Sequence, residues 1–203
     1  MPTWVACCDA DARPAHSDPG NHGAPAAWLG VRPSASPDAV ERLVLGYLAA
    51  YGPASSSDLR AWSGLTGLPA VIDRLRPRLT TYRDDAGRRL IDLADARLPQ
   101  HERFLPPRFL PAFDNAVLGY HDRRRVIDDE HRGLSVAGAR VLLVGGRVAG
   151  TWAASPGADG VQVSIDLLSP VPADDQDAVR EEGHRLAAFL GDGVPGAVAL
   201  TGP

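Results

Sequence analysis

Between Asp114 and His131 the chain gathers the side chains from which acid–base chemistry is built: Asp114-Asn115, then Tyr120-His121-Asp122-Arg123, then Asp128-Asp129-Glu130-His131. Carboxylates near a histidine are the material of general acid–base catalysis, where one group gives a proton while another takes one. The neighbours of Asp122 argue for a different role. Arg123, Arg124 and Arg125 follow it directly, so its carboxylate is expected to be ionised and ion-paired. That is the wrong setting for a raised general-acid pKa. The favoured reading is structural, with Asp114 and Asp122 capping or cross-bracing an excursion of the chain while an arginine satisfies them. Catalysis by Asp114 or Asp122 stands as the alternative. A metal between His121 and His131 is conceivable from residue type alone, but the sequence does not fix their placement on helix or loop. Neither a metal nor a cofactor is expected.

A second constellation is cationic. Arg74 and Arg78 stand four residues apart in a stretch with helical spacing, which puts them on one face with Arg76 offset. Arg83, Arg88 and Arg89 flank the turn Asp85-Ala86-Gly87. Guanidinium groups bind phosphate or guanine bidentately, so this set suits a helix entering the major groove and a hairpin touching the backbone of double-stranded DNA. The competing reading is a solvated surface on which Asp73, Asp84 and Asp85 neutralise these arginines.

Three segments must position those residues. Residues 1–36 are rich in Pro, Gly, Ala and Ser without sustained period and are expected to be poorly ordered, with Trp28-Leu29 as the one apolar anchor. Residues 37–98 have the order of a winged helix-turn-helix. Ser36 and Pro37 open a first helix in which Val40, Leu43, Val44, Tyr47 and Leu48 recur at three- and four-residue intervals. Ser57 is expected to cap a second helix, and residues 68–79 to form a third with Val71, Ile72, Leu75 and Leu79 inward. The segments around Tyr82 and Ile91 then make a hairpin, the wing. Residues 99–203 suggest a small antiparallel β-barrel or sheet with a C-terminal packing helix. Strands are expected at 109–114, 139–146, 147–155 and 161–169, with a further one near 196–202. A helix over 172–190 would cover the sheet with Val179, Leu186, Phe189 and Leu190. The fold class is therefore α+β.

Bulk properties narrow the partners. A chain of 203 residues with 44% hydrophobic residues can bury a core without staples. Cys7 and Cys8 are adjacent and supply neither a disulfide scaffold nor a metal site. No apolar run reaches membrane-spanning length and no signal-peptide core is present, so a cytoplasmic location without membrane contact is the default. All 21 basic residues are arginine, which fits a GC-rich bacterial genome. The net charge of −4 hides an uneven distribution. Residues 38–151 carry 17 arginines against 14 carboxylates, and residues 152–203 carry 2 against 8. A basic middle with an acidic tail fits nucleic acid on one side only.

Residues 104–152 combine Phe113-Asp114-Asn115, Asp122-Arg123, Val144-Gly145-Gly146 and Gly150-Thr151-Trp152 in a string that resembles one family. That family is the winged-helix DNA-binding proteins that include bacterial DNA glycosylases unhooking interstrand crosslinks. The resemblance covers roughly residues 26–200 and includes the local match AAWLG before the first helix. It implies the last winged helix and the C-terminal barrel of a protein nearly twice as long, with double-stranded DNA as partner. It also implies that Asp114, Asn115, Asp122, Arg123 and Trp152 are architectural, Trp152 packing the barrel rather than stacking a base. The family's glycosylase signature is a Gln-x-Gln pair in its first winged helix, which orients the attacking water and stabilises the developing sugar cation. Gln100, Gln162 and Gln176 form no such pair, so no catalytic residue carries over. The expectation is a DNA-binding protein, truncated and not catalytic by itself, with a separately encoded N-terminal half as a further partner. An active base-excision enzyme and a protein-interaction module or inactive remnant are the alternatives.

Overall fold

Apolar residues at helical spacing and a run of short alternating strands sort the chain into a three-helix layer with a hairpin, followed by a sheet covered on both faces. The computed structural model describes residues 36–97, 105–157 and 160–203. The expectations for residues 1–35, for Phe104 and for the 98/99 boundary lie outside them. Val40–Pro203 forms one compact unit, and the other unit, Met1–Ala39, is described only from Ser36 onward.

Helix α1 (Ala39–Tyr51) buries Val44, Tyr47 and Leu48. Helix α2 (Ser56–Ser63) is capped by Ser55, not Ser57: the Ser55 side chain accepts from the Asp58 N–H, and the Asp58 side chain accepts from the Ser55 N–H. This reciprocal box satisfies two amides that the helix leaves open. Helix α3 (Leu68–Leu75) turns Leu68, Val71, Ile72 and Leu75 inward. It is shorter than its apolar spacing suggests. Pro77 has no N–H and its ring opposes a continued helix, so residues Arg76–Arg78 form a single 3-10 turn. Arg78 therefore leaves the helix, and the shared helical face expected for Arg74 and Arg78 does not exist. Strands β1 (Leu79–Arg83) and β2 (Arg89–Leu93) pair antiparallel as a hairpin. The α-helical cluster closes around Tyr47, Leu48, Leu59, Leu68 and Ile91.

The second part is an open sheet, not a barrel. Strands β3 (Arg108–Leu110), β4 (Val141–Val144), β5 (Arg147–Gly157), β6 (Gly160–Leu167) and β7 (Ala197–Thr201) lie in the order β3-β4-β5-β6-β7. The first four pair antiparallel; β7 runs parallel to β6. The reason is the connection. Strands β4, β5 and β6 follow one another through short connections, which return a strand antiparallel, whereas a helical crossover returns it parallel, and helix α6 (Ala173–Leu190) intervenes between β6 and β7. The expected first strand also stops early. After Leu110 the chain turns at Phe113, which takes φ 59°, Asp114 caps a short helix α4 (Asn115–Leu118), and a second short helix α5 (Arg132–Val136) precedes β4.

A bulge divides the sheet's work. The register shifts between Leu142 and Leu143, which pair with Gly150 and Val148, so Ala149 is the extra residue in β5. One extra residue reverses the in–out alternation. Beyond it Trp152 and Ala154 face the cluster of Leu142, Val163, Ile165, Val179 and Ala187 beneath α6. Before it Val148 joins Val117, Ile127 and Val141 on the opposite face. Helix α6 presents Val179, Gly183 and Ala187 to the sheet. Phe189 points to solvent at 79% exposure, contrary to the expected covering role. Gly183 explains the tight approach: a Cβ there would sit 3.1 Å from Val198.

Candidate nucleic-acid interface

The block at residues 120–125 is built as a brace between the helical layer and the sheet. Asp58 in α2 is buried at 3% exposure. One of its oxygens accepts from the backbone N–H groups of His121 (2.9 Å) and Asp122 (3.1 Å), and the other accepts from Ser55. A single carboxylate thus caps a helix and pins a loop over sixty residues away. Beside it, the Tyr47 hydroxyl donates to the Gly119 carbonyl at 2.7 Å and the Tyr120 hydroxyl donates to the Tyr51 carbonyl. Burial raises the pKa of both phenols, most strongly at Tyr47, where Asp58 adds to it. Both therefore serve as hydrogen-bond donors at neutral pH.

Asp122 lies among arginines, with only 13% of its side chain exposed. Arg124 donates to it from its guanidinium at 2.8 and 3.1 Å and from its backbone N–H at 3.1 Å, and Arg88 contributes a second ion pair. The Arg124 hydrogen bonds, aided by Arg88, hold the Asp122 carboxyl far below the usual carboxylate range against the opposing effect of burial. Arg88 also reaches Asp84 at 2.6 Å, so it links the hairpin turn to the block. At Asp84 burial opposes ionisation, but the Arg88 backbone N–H and guanidinium outweigh it and lower the pKa. A carboxylate so fixed in its charged form cannot donate a proton near neutral pH.

The remaining members of the block have local partners. Asp114 accepts from the Ala116 N–H at 2.7 Å as the cap of α4, and Asn115 is that helix's first residue. Arg123 donates to the Ser135 hydroxyl at 3.1 Å and to the Tyr120 carbonyl at 3.3 Å. Trp152 donates its indole N–H to the Leu110 carbonyl at 2.9 Å and meets Phe109 edge-on. Arg140 lies over the Trp152 ring at 5.1 Å. His121 is exposed and His131 contacts Glu130; among the described residues no group of three or more His, Cys, Asp or Glu gathers for a metal.

The five arginines singled out in the sequence divide by partner. Arg74 pairs with Glu41 at 2.9 Å, Arg83 donates to the Gly87 carbonyl at 3.0 Å, and Arg88 is bound twice over. Arg78 and Arg89 are exposed and make no side-chain hydrogen bond or ion pair among the described residues. Arg60, in the exposed face of α2, shares that condition and was not singled out by sequence. Asp58 was missed as well. Its signal was present in Ser55-x-x-Asp58, a capping-box spacing that begins two residues before Ser57.

A three-helix layer with a hairpin, joined through a carboxylate brace to an open sheet, accompanies a family match over residues 9–189: the model is that of the DNA glycosylase AlkZ-like proteins. The chain belongs to that family. Among solved structures it is similar to the DNA glycosylase AlkZ of Streptomyces sahachiroi, with TM-score 0.65 and 23% identity over 87% of this chain. The match spans 50% of that chain, so the present sequence covers about half the length of the solved relative. No curated protein matches. No described helix is long and apolar enough to cross a membrane.

Proposed function

We propose that residues 37–98 are a winged helix that docks on double-stranded DNA, and that residues 99–203 are a supporting domain braced to it through Asp58. In this reading the 203-residue chain binds DNA and does not break glycosidic bonds by itself. The family's Gln-x-Gln pair has no counterpart in Gln100, Gln162 or Gln176. Base removal then needs residues from elsewhere, whether in a longer form of this chain or in a separate one. The observation that carries the DNA-binding reading is the family match over residues 9–189. Of the five arginines named from the sequence, Arg78 and Arg89 are the contacts available without breaking a local bond; Arg74, Arg83 and Arg88 must first release theirs.

Duplex binding measured by gel shift at two salt concentrations tests this. Phosphate contacts release counterions, so affinity is expected to fall steeply as salt rises. No binding at low salt would favour a protein-interaction module instead. A second reading, that the chain excises bases itself, is favoured by the family's glycosylase description. Base release from an alkylated or crosslinked duplex would establish it.

A further inference from the structure

Ala54 and Ile91 exchange backbone hydrogen bonds at 3.0 and 2.8 Å, an isolated antiparallel bridge between the start of α2 and the hairpin. Beside this bridge Ser56, the first residue of α2, and Arg89, the first residue of β2, line one groove. Arg60 follows Ser56 by four residues on α2, which puts both on one helical face. Two adjoining surface grooves result. One, of about 140 Å³, is lined by Ser56, Ile72, Asp73 and Arg89; the other, of about 250 Å³, by Ser57, Arg60 and Thr66. They share Ser56 and Pro69.

The electrostatics of this strip differ from those of the brace. Among the described residues lining the two grooves the only carboxylate is Asp73, which Arg76 engages at 2.8 Å. Arg60 and Arg89 have no anionic partner among the described residues; the exposed Ser56 lines both grooves, and the exposed Ser57 and Thr66 line the one that holds Arg60. Around Asp122, by contrast, Asp84 and Asp85 accompany Arg88, Arg124, Arg125 and Arg147, and Arg147 is paired with Asp128. An unneutralised arginine pair with hydroxyls in the same grooves is the chemistry that grips consecutive phosphates of a nucleic-acid backbone.

We infer that the strip Arg89–Ser56–Arg60 is a phosphate-docking track for duplex DNA, and that the Arg83–Arg88 side of the hairpin is not. This rests on the DNA-binding reading and deepens it by naming the face. The test measures binding of the full chain to a fluorescein-labelled duplex across a salt series, for wild type, for Arg60→Gln with Arg89→Gln, and for Arg180→Gln with Arg185→Gln. The last pair removes equal charge from α6. The slope of log affinity against log salt should become shallower by about two for Arg60→Gln/Arg89→Gln, close to one per lost phosphate contact. It should not change for the α6 pair, and Arg60→Lys with Arg89→Lys should restore most of the slope. An unchanged slope in Arg60→Gln/Arg89→Gln, or an equal loss in both glutamine pairs, overturns this inference and leaves the DNA-binding reading standing. Wild type that does not bind at low salt overturns both.

Discussion

Asp58 does more for this molecule than any of the acidic residues that first suggest catalysis. Its two oxygens serve the Ser55 N–H and hydroxyl on one side and the His121 and Asp122 N–H groups on the other, in a buried position. Removing it leaves those donors unmet. With a lost cap near 1 kcal/mol and hydrogen bonds to a charge near 1.5–3 kcal/mol, Asp58→Ala should cost roughly 2–4 kcal/mol in urea unfolding. A loss under about 0.5 kcal/mol would contradict the bracing role. Asp122 and Asp84 predict a pH effect. Both have folded-state pKa values below the ordinary aspartate value of about 3.9. Their contribution is therefore complete above that value and is lost as pH falls through the folded-state values. Wild type should lose stability below about pH 4 more steeply than Asp122→Asn with Asp84→Asn. Parallel acid limbs would contradict it.

At the scale of elements, what the sequence could show depended on whether the deciding interaction was local. The apolar spacing of α1 and α3, the hairpin turn at Gly87 and the alternation of β4 to β6 are local patterns, and each produced its element. Pro77 is local too, but the apolar period that runs past it to Leu79 masks its effect. The parallel pairing of β7, the exposure of Phe189 and the place of Asp58 depend on partners far along the chain, and spacing carries no information about them. The arginines that follow Asp122 made its ion pairing legible, while Asp114 caps its own helix with no arginine beside it; Arg60 gains its meaning only when the two grooves that share Ser56 bring Arg89 alongside. Gly119 illustrates the same limit. A Cβ there would lie 2.5 Å from a Tyr51 ring carbon and 2.6 Å from the Asn115 carbonyl oxygen. Gly119→Ala should therefore force the block off α1 at a cost of about 1–3 kcal/mol, read by thermal unfolding. Wild-type stability in that variant would show that the contact yields freely.

At the scale of the whole molecule, Val40–Pro203 folds as one unit in which two cores meet through a hydrogen-bonded seam. Tyr120 packs against the helical cluster, while Val117 and Ile127, on either side of it, join the sheet. The segment that resembles an active site by composition is thus the segment that joins the two layers. Membership of the DNA glycosylase AlkZ-like family gives the molecule its nucleic-acid context. Within the seam Asp58, Asp84 and Asp122 are each held by hydrogen bonds or ion pairs to other parts of the chain. The most direct test uses the intact chain bound to an alkylated duplex at low salt, with release of the modified base followed over time. The account predicts a bound duplex with its glycosidic bonds intact. Release of the modified base by the wild-type chain would contradict it, and its loss in Asp122→Asn or Asp114→Asn would assign that activity to the block.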